Sequence, residues 1–333
     1  MIFMEKEEKD KKLTPGRIDF ITEFEYVSED EGIINYKVTM VPDPKRYELL
    51  EKDGNAAYLD KYTRTLIPWD VFAEAIENMN EIPIVYSSPK QLDFCAYLKD
   101  RKSELLAHWN DKYIIENGTK PVEKILEELQ GKESYIVILY VDMEGSTRLS
   151  SQLGAESYTK IMKIFLMQMA KIIDNFRGYV LKFVGDCAIG IFPAEGNFPN
   201  TCDNSIMAAV LMKSIVEDVI NPILLEKGLP QIGFHIGVDI GLVKADRFGA
   251  LDIASFNDLI GYPMNLTAKI QSKAGHNEIL IGRQLYELIH NKWQEYCSKI
   301  DLGDGWRMED PRSNGPYEVY KFSAKWQCRC LEP

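Results

Sequence analysis

Tyr179-Val180-Leu181-Lys182-Phe183-Val184-Gly185-Asp186-Cys187-Ala188-Ile189-Gly190-Ile191 reads as two short strands joined by a tight turn. β-Branched and aromatic residues flank Gly185-Asp186 on both sides, which is a hairpin signal. The turn holds Asp186 where a cation can reach it. Lys182 stands four residues earlier among apolar neighbours. Taken alone, the hairpin predicts a local ion pair between Lys182 and Asp186.

Upstream, Tyr135–Val141 is continuously apolar, the pattern of a strand buried on both faces in the middle of a sheet. It ends at Asp142, followed by Met143-Glu144-Gly145-Ser146-Thr147. A carboxylate at the end of an apolar strand costs several kcal/mol to bury unless it is paired. Two such carboxylates, Asp142 and Asp186, repel each other if they meet, and a divalent cation relieves that. Hard oxygen ligands suit Mg²⁺ or Mn²⁺. The turn at Gly145, Ser146 and Thr147 offers backbone N–H groups at the approach to a helix, which suits a phosphate.

Ala155–Phe176 has helical periodicity, with an apolar face through Ile161, Ile164, Phe165, Met169 and Ile172 and a stop at Arg177-Gly178. A further helix is predicted over Asn204–Ile220, broken at Asn221-Pro222. Gln231–Val243 reads as strand, Asn265–Ala274 as helix stopped by Gly275, Glu278–Ile281 as strand and Gln284–Asn291 as helix. Strands and helices alternate without a strict βαβ repeat. The expected fold class is α+β, an antiparallel-rich sheet with helices on one face.

The 333 residues allow about two domains. We divide them into a smaller mixed α/β domain over 1–125 and a second domain over 126–333, with Asn117–Pro121 as the linker. The first carries strands around Ile18–Val41, with turn residues at Ser28–Gly32. A helix over Pro68–Met79, an extended Ile82–Tyr86 and a long helix over Pro89–Ile115 follow. It holds no catalytic constellation, so its expected role is regulatory or structural. Val122–Leu129 is a short helix leading into the second domain.

The apolar share is 45% and the charged share 27%, the balance of a soluble globular protein. A net charge of −12 argues against nucleic acid or an anionic membrane as the main partner. No apolar run approaches the ~20 residues of a membrane span. The charged residues 1–12 lack a secretory core. The six cysteines show no zinc spacing. A reducing cytoplasm is the expected location.

Four segments then occur in order: Val141-Asp142-Met143-Glu144-Gly145-Ser146-Thr147-Arg148-Leu149, Lys182-Phe183-Val184-Gly185-Asp186, Phe234-His235-Ile236-Gly237-Val238, and Asp258 through Lys269 (DLIGYPMNLTAK). Over residues 134–325 the series resembles the class III nucleotide cyclases, whose catalytic domain is ferredoxin-like. The resemblance implies a two-metal site at Asp142 and Asp186, with Met143 counted in it, holding Mn²⁺ or Mg²⁺. It implies that Lys182 and Asp258 read the base and that Asn265 orients the ribose. Lys269 stands where the family usually has an arginine that steadies the transferring phosphate. Lysine keeps that charge and loses the bidentate fork. The implied reaction turns a nucleoside triphosphate into a 3′,5′-cyclic monophosphate and pyrophosphate. With one catalytic domain in the chain, a head-to-tail homodimer with shared sites is expected.

The Lys182–Asp258 pair offers one donor and one acceptor. Adenine and cytosine match it in one orientation, and uracil and guanine in the other. In the family the pair is typical of adenylate cyclases. Other features lean toward the stand-alone prokaryotic pyrimidine cyclases of Pycsar anti-phage systems. Lys269 replaces arginine, and Gly303-Asp304-Gly305-Trp306-Arg307 occupies the place of the usual glycine-and-lysine stretch. That resemblance implies cUMP or cCMP as product, read by a separate cyclic-nucleotide effector. Tyr135 or Tyr262 is the expected filler of a single-ring pocket. The competing readings are an adenylate cyclase and a catalytically dead nucleotide-binding dimerisation module. Retention of both aspartates counts against the latter. His235 reads as a packed strand histidine, and His276 and His290 have no evident partners.

Overall fold

The computed structural model describes residues 19–30, 33–52, 55–62, 64–70, 73, 89–91, 93–109, 121–194, 198–250, 254–313 and 315–325. The chain divides into two compact units, Met1–Val85 and Tyr86–Pro333. The helix Phe94–Trp109 therefore belongs with the second unit, although the sequence places a border near residue 125.

In the first unit, β1 (Phe20–Asp30) and β2 (Ile33–Pro42) pair antiparallel, and Ser28, Glu29 and Asp30, expected in a turn, are instead strand, opposite Asn35, Ile34 and Ile33. A three-stranded sheet follows, made of β3 (Tyr47–Lys52), β4 (Asn55–Asp60) and β5 (Leu66–Pro68). Buried Arg46 is ion-paired with Asp19 at 3.2 Å and Asp60 at 2.9 Å. Most of the expected helix over 68–79, the extended 82–86 and the linker at 117–120 lie outside the described residues.

The second unit is built on one sheet. Its strands are β6 (Glu133–Glu144), β7 (Tyr179–Val184), β8 (Cys187–Pro193), β9 (Gly233–Ala250), β10 (Ala254–Ile260), β11 (Glu278–Gly282), β12 (Cys297–Ile300) and β13 (Val319–Phe322). Their order is β12-β13-β11-β9-β6-β8-β7, with β10 folded back on the far end of β9. The β11–β9 pairing is parallel and the other pairings are antiparallel. β6 is central, as its apolar run predicts. Period-two alternation sends Val137, Leu139, Val141 and Met143 into one core and Ile136 and Ile138 into another.

The first core is covered by the helices Phe94–Trp109, Ala155–Asn175, Phe198–Ile215, Asn221–Glu226 and Arg283–Leu288. The expected face of Ala155–Asn175 is buried in full. The opposite core is covered by the helix Pro121–Glu128, and the start of the helix Tyr262–Gln271 also packs there. Helices thus lie on both faces of the sheet, not on one as expected. The cause is visible in β9, whose Gly237 and Gly241 lack the side chains that would keep Tyr262–Gln271 away. A Cβ at Gly237 would lie 2.5 Å from the Gln271 amide nitrogen, and one at Gly241 2.3 Å from Pro263.

The expected break at Asn221-Pro222 does not occur. A π-helical turn, Val216–Ile220, joins Phe198–Ile215 to Asn221–Glu226. The wider turn spares the ring of Pro222 a clash with an upstream carbonyl, and Pro222 sits in the first turn of the new segment, where no N–H is needed.

Candidate active site

Register brings the two aspartates together. Asp142, near the end of β6, lies opposite Cys187 on β8. Asp186 precedes Cys187 in the β7–β8 turn, where Gly185 has φ +62°. Burial, then the charge of Asp186, pushes the Asp142 carboxyl up to about 6, while His235 opposes the rise. His235 is the partner of Asp142 on β9. Among the described residues neither aspartate is ion-paired with a lysine or arginine. A pair of crowded carboxylates without a protein cation fits a divalent ion. The Met143 side chain is buried in the core, which leaves only its main-chain oxygen as a donor. No cluster of three or more His, Cys, Asp or Glu side chains suited to a metal occurs among the described residues.

Lys182 does not pair with Asp186. A bulge between Val180 and Lys182 shifts the register of β7 against β8. It places Lys182 opposite Ile189, which in turn faces Tyr140 on β6. Lys182, Ile189 and Tyr140 thus form one cross-strand row. From there the Lys182 ammonium reaches Asp258 on β10 and forms an ion pair. The backbone N–H of Leu259 donates to the other Asp258 oxygen at 2.9 Å, fixing the carboxylate.

Tyr140 is the residue that the sequence reading missed. Burial pushes its hydroxyl up to about 12, with added charge effects from Cys187 and Asp258. Its half-buried ring lies in the cross-strand row with Ile189 and Lys182, the partner of Asp258. The two expected pocket fillers lie elsewhere. The Tyr135 ring packs on Phe198, with centroids 5.2 Å apart. The Tyr262 hydroxyl donates to the Glu309 carbonyl at 2.7 Å.

Gly261, at φ +151°, leads from β10 into the helix Tyr262–Gln271. Asn265 and Lys269 are exposed one turn apart on it, while Leu266 and Ile270 are buried beneath. Just past Asp142, at the C-terminal end of β6, Gly145 at φ +72° opens the helix Ser146–Gln152, so Ser146 and Thr147 occupy its first turn. The first-turn N–H groups have no carbonyl four residues back. Two histidines have partners that the sequence did not reveal. His276 contacts the Glu144 carboxylate, and His290 accepts from the Lys292 N–H at 3.1 Å.

No helix among the described residues is long and apolar enough to cross a membrane. Two curated cytidylate cyclases of Escherichia coli are similar to this chain. One is 25% identical over 196 residues, which is 56% of this chain and 42% of the relative. The other is 29% identical over 175 residues, which is 51% and 39%. The chain spans less than half the length of either relative. Among solved structures, the adenylyl cyclase CyaB from P. aeruginosa matches with a TM-score of 0.50 at 23% identity, covering 59% of this chain and 97% of that one. The guanylyl cyclase Cya2 matches with a TM-score of 0.51 at 21% identity, covering 60% and 97%. These two likenesses establish the fold. The profile of the adenylate and guanylate cyclase catalytic domain matches residues 129–305, more than half of the chain, and the chain therefore belongs to that family of nucleotide cyclases.

Proposed function

We propose that this nucleotide cyclase acts on a pyrimidine nucleoside triphosphate, CTP or UTP, and releases cCMP or cUMP with pyrophosphate. The observation that carries the reading is Tyr140 beside the Lys182–Asp258 pair. In this reading the Tyr140 ring fills the space behind the pair and leaves room for a single-ring base. The similarity to two cytidylate cyclases supports it and favours CTP. Cytosine offers N3 to the lysine and its N4 amino group to the aspartate.

In this reading Asp142, Asp186 and the Met143 main chain hold Mn²⁺ or Mg²⁺. The bound ions supply charge neutralisation and favour loss of the 3′-hydroxyl proton. Lys182 and Asp258 orient the base, and Asn265 orients the ribose. Lys269 holds the α-phosphate, and the N–H groups at Gly145, Ser146 and Thr147 receive the phosphate tail. The 3′-oxygen attacks the α-phosphorus, forming the new P–O bond. The bond from that phosphorus to the bridging oxygen breaks, pyrophosphate leaves, and the hydroxyl proton is released. Positioning and charge neutralisation provide most of the acceleration.

The working unit is a head-to-tail homodimer. Each site takes the aspartates and the turn at 145–147 of one protomer and Lys182, Asp258, Asn265 and Lys269 of its partner. The cyclic product acts as a messenger for a separate effector, in an anti-phage role. The Lys182–Asp258 pair equally suits adenine, and cAMP formation is the second reading. The test is full-length protein with Mn²⁺ and ATP, GTP, CTP and UTP in competition. Cyclic CMP or UMP as the main product is expected. Predominant cAMP overturns the pyrimidine reading, and no cyclic product from any of the four overturns the enzyme reading.

A further inference from the structure

The geometry points to Lys273 as a second phosphate-binding lysine of this site, placed to hold the pyrophosphate end of the substrate. The assignment rests on the reading above, in which Asn265 and Lys269 face the nucleotide. Helical winding does not stop at Gln271. The N–H of Ser272 bonds to the Ala268 carbonyl at 3.0 Å, that of Lys273 to Ile270 at 3.1 Å, and that of Ala274 to Gln271 at 3.0 Å. Along this continued turn Leu266, Ile270 and Ala274 form the buried row. Asn265, Lys269 and Lys273, each one residue earlier, form an exposed row beside it. Lys273 follows Lys269 by about one turn, or about 6 Å along the axis.

The order along this path matches the order of groups in a nucleoside triphosphate. Asp258 stands at the base end, on the strand that leads through Gly261 into the helix. Asn265, Lys269 and Lys273 then succeed one another, and the last lies beyond the residue assigned to the α-phosphate.

Charge pairing separates these two lysines from others in the same part of the fold. Lys244 is paired with Asp246, Lys299 with Glu318 and Lys321 with Glu278. Among the described residues, neither Lys269 nor Lys273 has an ion-pair partner. Two uncompensated ammonium groups one turn apart, on a chain of net charge −12, form a local cationic row that suits adjacent phosphates. The part of Lys273 is to offset the charge that collects on pyrophosphate as the bond to the α-phosphorus breaks.

The test compares wild type, Lys273→Gln, Lys273→Arg and the remote exposed control Lys292→Gln. It measures turnover of the preferred triphosphate and inhibition by inorganic pyrophosphate and by the cyclic product. Lys273→Gln is expected to raise KM and weaken pyrophosphate inhibition, each by roughly tenfold, the effect of losing one charge-assisted hydrogen bond. Inhibition by the cyclic product, which lacks the phosphate tail, stays unchanged. Lys273→Arg restores both values, and Lys292→Gln resembles wild type. Active wild type with KM and pyrophosphate inhibition unchanged in Lys273→Gln overturns the assignment alone. Wild type that forms no cyclic product overturns the parent reading and the assignment with it.

Discussion

Lys182 on β7 and Asp258 on β10 are ion-paired, although 76 residues separate them and their strands do not pair with each other. The pair is partly exposed, with Lys182 at 42% and Asp258 at 16% side-chain accessibility. An exposed pair contributes about 0–1 kcal/mol to stability, and in the proposed function its value lies in binding. Replacing Lys182 or Asp258 by alanine should lower kcat/KM about 10- to 100-fold, the equivalent of one charge-assisted hydrogen bond to the base. The melting temperature should hardly move. The double variant should lose less than the product of the two single losses, because both groups hold the same base. Steady-state kinetics with thermal melts check this, and fully additive losses contradict it.

Tyr140 determines pocket depth in this account. Tyr140→Ala should open the space behind the pair and let ATP compete, shifting the CTP-to-ATP ratio of kcat/KM by at least about tenfold. Tyr140→Phe keeps the ring and should keep the preference. Competition assays on the two variants give the answer. A Tyr140→Ala protein as selective as wild type removes the tyrosine from the specificity argument.

The Asp142 carboxyl is raised from 3.8 to about 6 by burial and by Asp186. In metal-free protein the folded state therefore holds a proton that the unfolded state has released over that window. Its contribution to stability is present at low pH and is lost as pH rises from about 4 through about 6. Metal requires the deprotonated form, so apparent Mn²⁺ affinity should fall as pH drops below about 6. Melts of metal-free protein across this range, with Asp142→Asn as reference, read the first effect. Mn²⁺ titrations read the second. An affinity independent of pH between 5 and 7 speaks against Asp142 as a ligand.

Gly237 sets the depth of the helix that carries Asn265 and Lys269. Gly237→Ala would put a methyl group 2.5 Å from the Gln271 nitrogen and 2.7 Å from its Cα. Backbone has to shift, at a cost of about 1–3 kcal/mol. The shift should also lower kcat, since it moves both side chains. Gly305→Ala, which meets nothing within 4 Å, is the reference. Denaturant melts and turnover together show whether position and stability fall in step.

The hairpin, the central strand and the aspartate at its end were legible because each is written locally, in an apolar run or a Gly-Asp turn. Other features depend on partners that a linear reading lacks. Tyr140 sits inside a continuous apolar run, where a period of two cannot say which face a residue takes. The bulge that delivers Lys182 to Asp258 appears only against the register of β8. β10, with Ser255, Asn257 and Asp258 among its seven residues, has a weak strand pattern and is held by pairing with the far end of β9. Pro222 reads as a stop until a π turn is allowed for. Arg177, not Gly178, takes the left-handed position after the long helix, at φ +64°. Gly178 is needed for contact, since a Cβ there would lie 2.5 Å from the Phe192 ring.

The central claim is that one hairpin serves two sites, with Asp186 in the metal half of one and Lys182 in the base half of the other. Asp186→Ala protein, nearly inactive alone, and Lys182→Ala protein, reduced about 10- to 100-fold, test it when mixed under conditions of subunit exchange. In a mixed dimer one site carries both lesions and the other carries neither. Equal mixing should therefore recover about a quarter of wild-type activity. A mixture that exchanges subunits and stays as inactive as its components would contradict the shared site.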